Sequence, residues 1–282
     1  MQPTKWRETI DPYTINFKHF KLINILGYPH AGNDVFYVEG EYEGERLNAF
    51  IKVERQIGAD IENEIETLMD LDFPFTPTII EYSLVAPKYI ITREAKGVRL
   101  STIVGDNKNF ESMDYLYHYG ETLGLFHQSN ISAKPVKHRR FFEIPDNEYF
   151  SKHGLEDVGE FLNSNKPQNC SKCFVHGDFH YANILWKDKK ISCVLDYELS
   201  GIGIREFDMA WAIVLRPSQR FLKTAKEHNK FLSGYSSKQS YNEKTFRYFY
   251  VLIASHFYSM GDDDYKQQLK AIIQDFIAFE TF

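Results

Sequence analysis

Cysteine is scarce. The chain holds three in 282 residues, an odd and small number that excludes a disulfide-stapled secreted scaffold and suits a reducing cytoplasm. Two of them, Cys170 and Cys173, form a lone C-x-x-C. No second pair completes a zinc site, so they read as structural thiols. No apolar run approaches the roughly 18 residues that a membrane-crossing helix needs. The opening MQPTKWRETIDPYTINF has no apolar signal-peptide core. A cytoplasmic location and no membrane partner are therefore expected. Basic charge is also in deficit: 33 Lys and Arg stand against 39 Asp and Glu, a net charge of −6. That balance argues against a nucleic-acid partner, and a short basic run such as KHRR (137–140) reads as solvated surface. No G-x-x-x-x-G-K-[ST] occurs, which removes a P-loop nucleotide hydrolase. No internal repeat or low-complexity segment is present.

Apolar material is ample. Hydrophobic residues make up 43% and aromatics 16%, enough for a large core with aromatic side chains left to line a pocket for an organic ligand. The first third reads as strands: 21–27, 34–42, 46–54, 77–85 and 88–95 are short, rich in β-branched or aromatic residues, and bounded by Gly, Asn, Asp or Pro. Between them, DIENEIETLMDL (60–71) repeats Ile61, Ile65, Leu68 and Leu71 at helical spacing, with Pro74 and Pro77 beyond its end. From about residue 98 helical patterns dominate. One covers 112–129, with Leu116, Leu123 and Phe126 on one face. Others fill 206–281, interrupted near Pro217, Gly234 and Gly261. The composition shift falls near Glu94–Gly97. The expectation is an α+β chain of two lobes, residues 1–95 and 96–282, with a ligand cleft between them.

The densest chemistry lies in CFVHGDFHYANILWKDKKISCVLDYELSG (173–201). Asp178, Asn183 and Asp196 sit at the ends of short apolar strands. Carboxylate and amide oxygens are what a hard Mg²⁺ ion selects, and a carboxylate can orient a hydroxyl and take its proton. The turn at KDKK suggests a hairpin that returns Asp196 beside Asn183. The same Asp and Asn types also serve as plain turn residues.

HGDFHYAN resembles the H-G-D-x-x-x-x-N loop of the aminoglycoside phosphotransferase family, small-molecule relatives of the protein kinases. DYELSGIGIREFDMA resembles the family's second segment in register, departing at Ile204–Arg205 where many members have Asp-Pro. Its Tyr-Glu and Arg-x-Phe-Asp elements are also similar to choline and ethanolamine kinases. The resemblance implies a protein-kinase-like bilobal fold, with a nucleotide-binding lobe over 1–95 and a catalytic and substrate-binding lobe over 96–282. AFIKV makes Lys52 the phosphate-binding lysine, and Glu64, in E-x-x-x-L-x-x-L, its partner. The phosphate loop would be GYPHAGNDVFYV (27–38), with Gly32 in it. The hinge IITREAKG would offer backbone groups of Arg93 and Ala95 to a purine. Asp178 would be the catalytic residue, with Asn183 and Asp196 the metal ligands. His176 and Asp208 would support the loop, and Asp208 can also be read as a helix-opening anion. Glu198 either approaches the metals or the acceptor, or braces the loop. His180 falls at a variable position.

The resemblance thus implies a small-molecule kinase that uses ATP or GTP and Mg²⁺ to phosphorylate a hydroxyl of a small, cationic acceptor such as an aminoglycoside. A choline, ethanolamine or other metabolite kinase is the alternative. A catalytically silent nucleotide- or partner-binding chain is the rival of another class, and the presence of Lys52, Asp178, Asn183 and Asp196 together speaks against it. A protein kinase would need an activation segment, for which 196–208 leaves no room.

Overall fold

The computed structural model describes residues 10–29, 33–55 and 58–278. The chain divides into two compact units. One comprises the described residues up to Gly97 together with Ser192–Leu199; the other comprises Val98–Ile191 and the described residues from Ser200 onward. No helix is long and apolar enough to cross a membrane among the described residues.

The first unit is built on β1 (Phe20–Gly27), β2 (Asp34–Tyr42), β3 (Glu45–Val53), β4 (Ile79–Ser83) and β5 (Tyr89–Arg93). They form one antiparallel sheet in the order β1-β2-β3-β5-β4. Burial alternates along β2 and β3, as a sheet with one covered face requires. Phe36, Val38, Ala49, Ile51, Val53 and Ile91 fill that face. Lys52 follows Ile51 and so points to the other side. The β2–β3 turn places Glu43 at φ 52° and Gly44 at φ 78°, the left-handed pair that a tight hairpin demands. Buried Glu81 accepts the backbone N–H groups of Lys18, His19 and Phe20 at 2.7–2.8 Å, which offsets the cost of burying its charge. Helix α1 (Ile61–Asp70) starts at Asp60, whose carboxylate accepts the Asn63 N–H at 3.0 Å.

The second unit is mainly helical: α2 (Leu100–Val104), α3 (Met113–Gln128), α4 (Asn147–His153), α5 (Glu156–Ser164), α6 (Arg205–Ile213), α7 (Ala225–Ser236), α8 (Glu243–Tyr258) and α9 (Asp263–Ala278). Two short antiparallel pairs accompany them: β6 (Val98–Arg99) with β8 (Ile184–Lys187), and β7 (Lys172–Val175) with β10 (Gly201–Ile204). Strand β9 (Lys190–Val194) ends within the segment Ser192–Leu199, which belongs to the first unit.

The break expected near Gly234 falls just beyond it: α7 runs from Ala225 to Ser236, with Gly234 in its last turn. A Cβ at Gly234 would fall 1.9 Å from the Tyr117 carbonyl oxygen, and one at Gly120 would fall 1.9 Å from the Phe231 carbonyl oxygen. The two glycines let the backbones of α3 and α7 touch. The residue is there for close approach rather than for a turn.

Candidate active site

In the first unit, four charged groups meet. Lys52 Nζ lies 2.8 Å from Glu64 Oε2, 2.8 Å from Asp196 Oδ1 and 2.7 Å from Glu198 Oε1. Helix α1 supplies Glu64 because that position shares the inner face with Ile61 and Leu68, three residues before and four after. Glu62, two residues earlier, turns away to Lys88 at 3.3 Å. Asp196 adopts φ 69°, an uncommon backbone state that Asp tolerates better than most residues. The segment around it is pinned at several points. The Val194 N–H donates to the Phe75 carbonyl at 2.8 Å, the Tyr197 N–H to Glu64 Oε1 at 3.4 Å, and Asn63 Nδ2 to the Glu198 carbonyl at 3.1 Å. The Asn33 side-chain amide donates to Glu198 Oε1.

Burial works against the Lys52 charge, but the three carboxylates outweigh it and hold the ammonium protonated far above its ordinary range. Burial raises Glu64 above the usual carboxylate range, and Asp196 and Glu198 add to the rise. One ammonium cannot neutralise three carboxylates, and the excess proton affinity falls on the most buried of them.

In the second unit, β7 leads into His176–Gly177–Asp178. Gly177 has φ 79°, and the chain turns there without a Cβ penalty. Strand β10 pairs with β7 and then opens α6, which brings Asp208 against the turn. Asp208 is fully buried. Its Oδ2 accepts the His176 N–H and its Oδ1 the Gly177 N–H, both at 3.0 Å, while His127 Nε2 stands 3.3 Å from Oδ2. His176 is buried, and its Nδ1 accepts the Asp178 N–H at 3.2 Å.

The Asp178 carboxylate is held at both oxygens. Trp211 Nε1 donates to Oδ1 at 2.8 Å, and Asn183 Nδ2 donates to Oδ2 at 3.0 Å and to the Asp178 carbonyl at 3.1 Å. His180 Nδ1 accepts the Ala182 N–H at 3.3 Å, which assigns the ring proton to Nε2; that atom faces Asp178 Oδ2 at 3.6 Å. Burial pushes the Asp178 carboxyl up, but His180 first, then His176 and Arg216, bring it down to about 2. It is a carboxylate at any physiological pH.

The remaining expected positions are less central. Gly32 lies outside the described residues. The Arg93 N–H donates to the Thr78 carbonyl at 2.9 Å and its side chain pairs with Glu45 at 3.1 Å. Ala95 lies just beyond the end of β5. The reading of KHRR as solvated surface is corrected for Arg139. Its guanidinium donates to the Gly177 carbonyl at 2.7 Å and lies 4.7 Å over the Trp211 ring. Trp211, Arg139 and Arg216 are the residues that sequence reasoning missed. Trp211 sits in an apolar run that reads as core, and only its indole N–H distinguishes it.

A family model described as the phosphotransferase enzyme family matches residues 74–237, more than half of the chain. An aminoglycoside 3′-phosphotransferase of Enterococcus faecalis is 26% identical over 193 residues, covering 60% of this chain and 72% of that protein. The streptomycin–ATP ternary complex of APH(2″)-IIa superposes with a TM-score of 0.56 at 17% identity, covering 83% of each chain. The choline kinase LicA of Streptococcus pneumoniae superposes with a TM-score of 0.60 at 14% identity, covering 92% of this chain and 94% of that one. At these identities the two solved structures speak for the protein-kinase-like fold, with its sheet-based and helical units.

Proposed function

Because the chain belongs to the phosphotransferase enzyme family, we propose that it transfers the γ-phosphoryl group of ATP or GTP, with Mg²⁺, to a hydroxyl of a small cationic acceptor of the aminoglycoside type. The observation that carries this reading is the Asp178 carboxylate, ionised and fixed at both oxygens by Trp211 and Asn183. A carboxylate so placed can accept a hydrogen bond from an acceptor hydroxyl and take its proton as the hydroxyl attacks phosphorus. The aminoglycoside class is supported by the Enterococcus relative, and ATP by the ternary complex of APH(2″)-IIa.

The donors present fit a hard divalent cation. Glu64, Asp196 and Glu198 each offer a carboxylate oxygen, all within 4.8 Å of one another. Asn183 and Asp196 would hold Mg²⁺, which when bound supplies charge neutralisation at the phosphates. Lys52, kept charged by its carboxylates, pairs with the phosphate oxygens. Glu64 keeps the ammonium aimed. The backbone of Ala95 would receive the purine, since the Arg93 N–H is already given to the Thr78 carbonyl. Asp208 and His176 hold the loop that presents Asp178.

The test is nucleotide turnover by the purified protein, read as ADP or GDP release against a panel of aminoglycosides, amino alcohols, sugars and macrolides, with and without EDTA. One acceptor is expected to raise the rate well above background in the parent protein, and neither Asp178→Ala nor chelated samples should respond. A rate that no acceptor raises, together with no binding of Mg²⁺–nucleotide, would reject the reading.

A further inference from the structure

We infer that Trp211 is a positioning residue for Asp178: its indole N–H holds Oδ1 and so fixes which way the carboxylate faces the acceptor hydroxyl. The inference rests on the phosphotransferase reading of the site. Its basis is the 2.8 Å bond from Trp211 Nε1 to Asp178 Oδ1. A carboxylate on a single Cβ turns about two side-chain bonds, and a proton acceptor that turns loses alignment with its hydroxyl. Asn183 restrains Oδ2 from its own loop. Trp211 restrains Oδ1 from helix α6, which lies outside that loop.

The indole is itself immobilised. Arg139 stacks over the ring at 4.7 Å and Arg216 at 5.2 Å, and Phe141 meets it edge-on at 4.8 Å. Arg216 also donates to the Trp211 carbonyl at 2.8 Å. Only 7% of the residue is exposed. These contacts grip the ring without using its N–H, so Trp211→Phe keeps an aromatic ring at the position and removes the donor. Asp208 stands three positions earlier on α6, on the same face. One turn of helix therefore holds the backbone of the loop through Asp208 and its side-chain carboxylate through Trp211. A device built from rigid elements in this way is what precise orientation of a reacting group needs.

Two measurements test the role. The chain has three tryptophans, so protein labelled with ¹⁵N-tryptophan gives three indole signals, and Trp211→Phe identifies one of them by its loss. Asp178→Asn should then move that signal strongly and leave the other two in place; three unmoved signals would overturn the contact and the role with it, whether or not Trp211→Phe folds. The second measurement is steady-state turnover of Mg²⁺–ATP with the best acceptor of the panel. Trp211→Phe should lower kcat roughly ten- to hundredfold, with both KM values within about twofold of the parent and the melting temperature little changed. Undiminished kcat in Trp211→Phe, beside an active parent, would overturn the positioning role alone. No turnover in the parent with any acceptor would overturn the phosphotransferase reading, and the positioning role would fall with it.

Discussion

Lys52 Nζ and Glu198 Oε1 stand 2.7 Å apart, as close as the lysine comes to any carboxylate among the described residues. Glu198 is therefore a partner of Lys52 alongside Glu64, and the ammonium is the cation at the centre of three acids.

Removing that cation should be costly. Lys52→Met leaves Glu64 buried without its counter-ion, and breaking a buried pair in this way costs about 3 kcal/mol or more. The penalty should depend on pH. Burial already raises the Glu64 carboxyl, and without Lys52 it rises further. A carboxyl whose folded pKa lies above its unfolded value of about 4.3 binds its proton more tightly when folded, so stability is gained as pH falls through the raised value. Urea melts of the parent and of Lys52→Met at pH 8 and pH 5.5 check this: the gap should narrow at the lower pH. A gap of equal size at both would mean that Glu64 is not the strained group.

Asp178 gives the opposite sign. Its folded pKa, near 2, lies below the unfolded value of about 3.9. The stability it contributes is present above that unfolded value and is lost as pH falls through about 2. It also means that no loss of turnover between pH 5 and 7 should come from protonating Asp178 in the parent protein. His180 is the group that most lowers this pKa, against burial. In His180→Ala burial is less opposed, and an acid limb should move up toward the assay range. The measurement is kcat/KM from pH 4.5 to 8; coincident profiles would remove His180 from the electrostatics of the loop.

Asp208 holds the loop by its backbone N–H groups, and its loss should silence the loop. Asp208→Ala leaves the His176 and Gly177 N–H groups buried without their acceptor. Each unsatisfied donor costs roughly 1–3 kcal/mol. The expected outcome is a clear drop in unfolding midpoint together with loss of turnover. Turnover retained at the parent level would show that the loop keeps its shape without this brace.

Gly234→Ala should destabilise, although alanine is intrinsically the better helix former by about 1 kcal/mol. The new methyl would sit 1.9 Å from the Tyr117 carbonyl oxygen, and backbone cannot give way as a flexible side chain can. Overpacking of this kind costs about 1–3 kcal/mol or more. A variant at least as stable as the parent in thermal melts would show that α3 and α7 can separate at little cost.

Much of this fold is written locally. The alternation in DVFYVEGEY and RLNAFIKVE predicts strands at 34–42 and 46–54, and β2 and β3 occupy Asp34–Tyr42 and Glu45–Val53. The stripe Ile61–Ile65–Leu68 predicts a helix over 60–71, and α1 spans Ile61–Asp70. Where a residue's meaning depends on a distant neighbour, the local pattern misleads. Gly234 marks the end of α7 correctly, but its close approach to a carbonyl on α3 has no local sign. Trp211 gives no local sign of its role because Asp178, the acceptor of its N–H, lies 33 positions away. Arg139 reads as surface because the ring and carbonyl it covers belong to other segments. The candidate site is legible as residue types in register, but its hydrogen-bond wiring is tertiary.

The short segment Ser192–Leu199, grouped with the sheet-bearing unit although most of the second unit's chain precedes it, sets an order of events during synthesis. As the polypeptide leaves the ribosome, all five strands and α1 are available long before Asp196 and Glu198 have been translated. Until then the sheet-bearing unit has Lys52 with Glu64 alone, and the Phe75 carbonyl lacks the Val194 N–H that later binds it. The nascent sheet can form early, but its charge cluster closes only after the HGDFHYAN loop has been made. A chain broken off before that point would leave the lysine without two of its three acids.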